Sequence, residues 1–261
     1  MQMNGNTILI TGGGSGIGRA LAEAFHKLGN QVIIAGRRKE LLDETVAANP
    51  GMHCAVLDIE SSTAIASFAA QLAKDHPALN AVIHNAGIMR NENVKNGNLE
   101  TTESTIATNL LGPIRLNAAL MPHLLAQPKA TIMTVSSGLA FVPLAMTPAY
   151  CATKAAIHSY SQSLRYQLKD TAVQVIELVP PYVQTELQGA RQAKDPFAMP
   201  LNEFITEVMG LLTSQPDAAE ILVGRVKPQR TAESSGAYDG FYKTFNDRMS
   251  AARSSEVKKI G

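Results

Sequence analysis

The sequence predicts an α/β fold in which a doubly wound parallel sheet carries helices on both faces. Three observations point there. Short β-branched runs are separated each time by roughly a helix's length of chain, the rhythm of successive βαβ units. Those runs are apolar almost throughout, as strands covered on both faces should be, whereas an antiparallel sandwich would alternate. A glycine-rich turn also joins the first run to the first helix, a junction at which open α/β sheets bind ligands.

In chain order, TILIT (7–11) is the first strand, and it leads through the glycine turn into the helix ending ALAEAF. QVIIAG (31–36), HCAVLD (53–58) and NAVIHN (80–85) are the next three strands. A helix around Thr105 to Gln127 precedes ATIMTV (130–135). The helical stretch AYCATKAAIHSYSQSLRYQL (149–168) then precedes VQVIELV (173–179). The richest break in the pattern runs from Pro180 to Pro200 and reads as a mobile insertion over the site, a substrate loop at about 182–200. Beyond it, LNEFITEVMGLLTS reads as a helix, EILVGRV as a last short strand, and the segment at about 236–250 as a terminal amphipathic helix. No repeat or interdomain linker interrupts the chain, so residues 1–261 are expected to form a single domain.

Composition narrows the function classes. Hydrophobic residues make up 45% of the chain and charged ones 17%, ordinary usage for a globular protein with a large core. A formal net charge of +1 gives no basic field for nucleic acid and no block of like charges for a membrane surface, so neither partner is expected. Cys54 and Cys151 cannot build a disulfide framework, and the amino-terminal sequence lacks the charge-then-apolar order of a secretion signal. Cytoplasm is the expected location. One uncharged run, from Ala130 to Thr153, is interrupted by Ser136, Ser137, Gly138, Pro143 and Pro148 and reads as buried interior.

The first motif is ILITGGGSGIGRALAEAF, where Gly12, Gly16 and Gly18 lie between strand and helix. Glycine lets the backbone turn sharply and approach a pyrophosphate, and the helix start offers free N–H groups and a positive dipole end. A dinucleotide fits such a turn; the alternative is a glycine-rich connection with no ligand. At the end of the second strand an acidic residue would hold the ribose 2′-hydroxyl of NAD, but the chain has Gly36, Arg37 and Arg38. Arg37 could give a 2′-phosphate charge-assisted, bidentate hydrogen bonds, which favours NADP(H) over two merely solvated arginines.

The second motif is Ser137, Tyr150 and Lys154. Tyr150 and Lys154 are four residues apart at the start of a helix and share one face. A free phenol titrates near 10, about three units too high for ready proton exchange at neutral pH, and a nearby ammonium is expected to lower it. Ser137 ends the fifth apolar strand, which puts its hydroxyl at the carboxyl edge of the sheet.

TGGGSGIG, HNAG at His84 to Gly87, Asn109, Ser137 and the YxxxK of Tyr150 and Lys154 stand in an order and spacing that resemble the short-chain dehydrogenase/reductase family, over nearly everything from Thr7 to Leu187. Within that family the segments SGLAFVPLAMTPAYCATKAAIHSYSQSLRYQL and VIELVPPYVQTEL most resemble the DltE-type oxidoreductases. The resemblance implies a Rossmann-type sheet and an NADP(H)-dependent oxidoreductase that passes a hydride to a ketone or aldehyde. Tyr150 would be the general acid or base, Ser137 would orient the carbonyl oxygen, and Lys154 would hold the nicotinamide ribose and lower the tyrosine pKa. Asn109 would complete the set through a relay water. The chain offers a physical reason: Pro113 has no N–H, so the helical bond it would donate to the Asn109 carbonyl is missing. The alternative is a simple proline kink.

The resemblance further places Thr11, Gly12, Ser15, Gly16, Ile17 and Gly18 on the cofactor, with Asp58 and Ile59 against adenine. Asn85, Ala86 and Gly87 would lie beneath it, and Val183 with Thr185 at the carboxamide. Two departures stand out: His84 replaces the family's usual asparagine and reads as a packed, neutral core histidine, and Pro181 replaces a glycine, which puts the Thr185 contact in question. Leu139, Val142, Met146, Tyr182, Phe197 and Met199 are expected to line or cap the substrate space, whose apolar character suits an uncharged, moderately hydrophobic carbonyl compound. The other histidines show no ligand spacing, so no metal is expected, and Cys151 reads as buried packing. A homo-oligomer, dimer or tetramer, is implied through the helices around 105–127 and 150–169. Two other functions stay open: a 3-oxoacyl thioester reductase, and a dinucleotide-sensing protein without turnover.

Overall fold

A computed structural model of the chain describes residues 1–260, with side chains as far as residue 251. Seven strands form one sheet: β1 Thr7–Thr11, β2 Gln31–Gly36, β3 His53–Val56, β4 Leu79–His84, β5 Ala130–Val135, β6 Val173–Val179 and β7 Glu220–Leu222. Their order is β3-β2-β1-β4-β5-β6-β7, and every pairing is parallel. The helices are α1 Gly16–Lys27, α2 Lys39–Ala48, α3 Ser62–Asp75, α4 Glu100–Ile106, α5 Gly112–Leu125, α6 Pro148–Gln167, α7 Leu201–Ser214, α8 Lys227–Thr231 and α9 Tyr238–Ile260. This is the doubly wound, Rossmann-type sheet the sequence predicts.

The two-residue period of the strands sorts their side chains between two cores. Ile8, Ile10, Val32, Ile34, Ala81 and Ile83 pack with Leu21 and Phe25 of α1 and with Phe204, Val208 and Leu212 of α7. Leu9, Ile33, Ala35 and Val82 point the other way, onto Ile65 and Leu72 of α3, Leu116 and Leu120 of α5, and Leu164 of α6. Each Val, Leu, Ile or Phe among them contributes about 1.5–3 kcal/mol when fully buried. No described helix is long and apolar enough to cross a membrane.

Sheet order reverses between β1 and β4, where chains leave in opposite directions and open a crevice at the carboxyl edge. The glycine turn after β1 and the Asn85–Gly87 segment after β4 both enter it. The fourth strand runs one residue earlier than expected, and three boundaries move further. The third strand stops at Val56, so Leu57 and Asp58 lie beyond it. The last strand stops at Leu222 because the Gly224 N–H turns to the Glu207 carboxylate, 2.6 Å away, and Gly224–Val226 coil into a 3₁₀ turn. The terminal helix starts at Tyr238 and runs to Ile260, past the expected end near 250, since no glycine or proline intervenes. The 182–200 segment is tied down rather than free: Gln184 N–H donates to the Met199 carbonyl and Met199 N–H to that of Tyr182, at 2.9 and 2.8 Å.

Candidate active site

The crevice is a cleft of about 720 Å³, within the range that holds small molecules and cofactors. One end is built for an anion. Gly12 has φ +68, and a Cβ there would stand 2.9 Å from the Ala86 backbone, so the two segments approach as closely as only glycine permits. A Cβ on Gly18 would collide with the Gly12 carbonyl, which binds the start of α1 tightly to the turn. Ser15, at the N-cap, makes no side-chain bond to the helix, so the first N–H groups of α1 have no side-chain cap and face the cleft from a positive dipole end. These features fit a pyrophosphate.

Arg37 and Arg38 also line this end. Arg37 Nη1 lies 3.1 Å from Glu60 Oε1, and Arg38 Nη2 donates to Ser15 Oγ at 2.9 Å. Thr11, Gly12, Ser15, Ile17, Ile59, Asn85, Ala86, Gly87, Val183 and Thr185 all line the cleft. Pro181 does not displace Thr185, whose hydroxyl accepts from Gln192 Nε2 at 3.1 Å. Gly16 and Gly18 shape the turn from behind and do not themselves line it. Asp58 is a correction. Beyond the end of β3 its side chain is exposed, outside the cleft, and accepts from Glu60 N–H at 3.1 Å, leaving Leu57 and Ile59 to form that wall.

At the other end stand Ser137, Tyr150 and Lys154, all buried and all lining the cleft. The buried stripe of α6 runs Tyr150, Lys154, Ile157, Ser161, Leu164, the 3–4 spacing of a helix face on a core, and the two polar residues occupy its first turns. Ser137 lines the cleft beside Tyr150, and its Oγ accepts from Leu139 N–H at 3.1 Å. Lys154 Nζ donates to the Val135 carbonyl at 2.7 Å and lies 5.5 Å from the centre of the Tyr150 ring. The expected lowering of the tyrosine pKa is not what governs this arrangement. Burial pushes the phenol well up, the neighbouring Ser137 hydroxyl opposes that only in part, and the ammonium is turned to Val135. Burial also pulls Lys154 down to about 8, against the opposing charge of Glu177.

Asn109 does not line the cleft; it braces it. It lies in a π-helical segment, Ala107–Leu111, between α4 and α5, where Gly112 N–H reaches back to the Ala107 carbonyl. The helix widens here because Pro113 has no N–H for the Asn109 carbonyl. The Asn109 amide makes two 2.9 Å bonds to the backbone of Ile88 and one of 3.3 Å to Thr153 Oγ1. Gly87 sits between it and Lys154: a Cβ there would meet Asn109 Oδ1 at 3.3 Å and Lys154 Nζ at 3.8 Å.

The substrate end differs most from expectation. Leu139 and Tyr182 line it, but four other expected residues do not. Val142 is fully buried behind the 3₁₀ turn after β5. Met199 joins the main core, held by its backbone pairing with Tyr182 and Val183. Phe197 is 86% exposed, because its N–H bonds the Asp195 carboxylate at 2.9 Å and turns the ring outward. Met146 packs beside the Leu144–Tyr150–Cys151 cluster without reaching the cleft. In their place come Met89, Leu144, Gln229 of α8, and Phe245 with Met249 of α9. The aromatic and Met residues at 238, 241, 242, 245 and 249 recur at helical spacing, the one signal in the sequence that this helix covers something. His84 is buried, bonded through Nε2 to Asn117 Oδ1 at 2.7 Å and pulled by burial to about 4, a neutral histidine as expected.

A family model described as short chain dehydrogenase matches residues 6–196. The chain is 45% identical over 199 residues to the uncharacterized oxidoreductase DltE of Bacillus subtilis (strain 168), covering 74% of this chain and 78% of that protein. It is 34% identical over 184 residues to an NADPH-dependent 1-acyldihydroxyacetone phosphate reductase of Schizosaccharomyces pombe, covering 70% and 61%. Among solved structures, a short-chain dehydrogenase from Sphingobium yanoikuyae in complex with NADPH superposes with a TM-score of 0.78 at 25% identity, over 91% of this chain and 95% of that one.

Proposed function

Because the chain belongs to the short-chain dehydrogenase family of oxidoreductases, we propose that it is an NADP(H)-dependent carbonyl reductase, or in reverse a secondary alcohol dehydrogenase. One observation carries the reading. Tyr150, with Ser137 and Lys154 beside it, opens into the same cleft as an uncapped helix start and a glycine turn shaped for a pyrophosphate.

The turn from Thr11 to Gly18 would hold the pyrophosphate, Arg37 and Arg38 the 2′-phosphate, Ile59 the adenine, and Val183 with Thr185 the carboxamide. Bound there, the cofactor supplies or accepts the hydride. The chain's own groups handle the oxygen. Ser137 and Tyr150 both offer O–H donors to a carbonyl oxygen, so negative charge developing on it meets hydrogen bonds already in place. Burial keeps the Tyr150 proton on the phenol through neutral pH, which suits a proton donor in reduction. The phenolate left behind has the Lys154 ammonium nearby, and Asn109 holds the Ile88 backbone at the edge of the site. Met89, Leu139, Leu144, Phe245 and Met249 make the remaining wall apolar, which favours an uncharged, moderately hydrophobic substrate. The naming of NADPH for two similar proteins supports the choice of cofactor.

The same reading makes the protein a homo-oligomer in a reducing compartment. Both cysteines are free, and Ile106, Leu111, Leu125 and Tyr166 of the helices expected at the interface are exposed. A panel of ketones, aldehydes, 3-oxoacyl thioesters and 1-acyl ketone phosphates, followed by NADPH absorbance with NADH in parallel, tests the activity. Tyr150→Phe should lower kcat at least about 10³-fold while NADPH binding, followed by fluorescence, stays nearly unchanged. Full activity in that variant would refute the assignment.

A further inference from the structure

Behind the serine of the site lies a buried carboxylate with no part in the proton transfer itself. Glu177 of β6 is fully shielded from solvent and stands level with Thr134 of β5. Its Oε1 accepts the Ser136 hydroxyl at 2.5 Å, and its Oε2 lies 2.8 Å from His158 Nδ1. A buried carboxylate is costly even when paired, and an apolar residue in the middle of a parallel strand would serve packing better. The neighbours explain its presence. Ser136 directly precedes Ser137, and His158 follows Lys154 by one turn on the same face of α6. Lys154 itself donates to Val135, the residue before Ser136. Two consecutive residues at the end of β5, immediately before Ser137, are thus held by Lys154 and Glu177 respectively.

We infer that Glu177 is a positioning residue of the site: its carboxylate fixes the end of β5 that carries Ser137, and it supplies the negative charge that acts on the Lys154 ammonium bound to the adjacent Val135. The inference rests on the reduction reaction proposed above only for its kinetic consequence. Burial already pulls Lys154 down, and Glu177 is the charge that opposes it. The other groups facing Glu177 do not replace it. Glu220 of β7 is committed to a two-point bond with Arg230 of α8, at 2.7 and 3.0 Å, and Arg165 of α6 is spent on the Val175 and Ala219 carbonyls. His158, Glu177 and Glu220 do bring donor atoms within 4.8 Å of one another. Those atoms already serve Ser136, His158 and Arg230, which makes the group a brace rather than a cation site.

Glu177→Gln keeps the shape and the acceptor for Ser136 but removes the charge. With folding checked by circular dichroism, ¹³C NMR of protein labelled at lysine Cε reads the Lys154 titration without cofactor or substrate, its signal identified by loss in Lys154→Met. The midpoint is expected to fall by about one unit, a tenfold rise in acidity, and the alkaline limb of kcat for reduction should move the same way while NADPH affinity holds within about threefold. An unmoved Lys154 midpoint in the folded variant overturns the inference. Should Glu177→Gln fail to fold, Ser136→Ala leaves the charge in place: kcat is expected to fall about tenfold with the midpoint unmoved, and an unchanged kcat overturns the positioning role. A wild type inactive on every carbonyl would sink the proposed reaction and leave the titration result to stand by itself.

Discussion

A lysine only 5% exposed, with its ammonium on the Val135 carbonyl, weighs on the stability of the folded chain. Its pKa is pulled from 10.5 to about 8 by burial, so the unfolded chain binds its proton more tightly than the folded one. The sign follows from linkage: the cost is fully present below pH 8 and fades as pH rises toward 10.5. Its size is about 3 kcal/mol, offset by about 1.5 kcal/mol for the charged hydrogen bond to Val135. Lys154→Met should therefore abolish turnover yet raise the melting temperature at pH 7 by roughly 3–6 °C, and the gain should shrink by pH 10. A variant less stable than wild type at pH 7 would contradict this, and thermal melts at the two pH values decide it. The pairing of Tyr150 with Lys154 was legible from their four-residue spacing. Where the ammonium points was not, because that depends on which β5 carbonyl lies opposite, a matter of tertiary register.

The helix that carries both residues is anchored from outside itself. Thr147, the N-cap of α6, makes no side-chain bond to the helix; Glu92, from the segment after β4, accepts from Ala149 N–H at 2.9 Å. Glu92 is itself fixed by Thr102 Oγ1 at 2.6 Å, and its N–H donates to the Met146 carbonyl at 2.9 Å. A carboxylate at a helix start both caps an N–H and meets the positive dipole end, worth about 1–2 kcal/mol together. Glu92→Ala is expected to lower the melting temperature by about 2–6 °C, and kcat should fall by more than NADPH affinity does, because Tyr150 follows the capped residue directly. Unchanged kcat in that variant would show that the cap only stabilises. Nothing local in the sequence marks Glu92, since it lies 57 residues from the N–H it caps. The strands and long helices were legible because their two- and 3.6-residue periods are local. The roles of Phe245 and Met249 were not: periodicity shows that α9 has an apolar face but not which surface it covers. Val142, Met146, Phe197 and Met199 were misplaced for the same reason, since apolar character near the site does not say which way a side chain turns. Asn246 supplies what the pattern could not, donating to the Pro143 carbonyl at 3.1 Å and accepting from Ala145 N–H at 2.7 Å, which holds α9 over the cleft.

Across the molecule, seven parallel strands carry a core on each face, and at the carboxyl edge the sheet's interior becomes polar where the site is built. His84 lies at that transition. It ends β4, pairs in register with Thr134, and bonds Asn117 of α5, while its Nδ1 and the Asn117 Nδ2 find no partner among the described residues. A protonated imidazole is disfavoured there, and burial takes its pKa from 6.5 to about 4. For a base with a depressed folded pKa, the unfolded state takes up protons first. Stability is therefore undiminished above pH 6.5 and is lost as pH falls from 6.5 to 4, by about 3 kcal/mol in all. His76, pulled down by its own burial beside His53, and the carboxylates act in overlapping ranges, so the wild-type curve alone does not isolate the effect. The difference between wild type and His84→Asn does. Asparagine is the residue the family usually carries there, it keeps a polar contact within reach of Asn117, and it does not titrate. In urea unfolding the variant should gain on the wild type by about 3 kcal/mol between pH 6.5 and 4. A difference flat across that window would mean that the histidine is solvated when the chain is acidified, and that the carboxyl edge of the sheet opens before the rest of the fold.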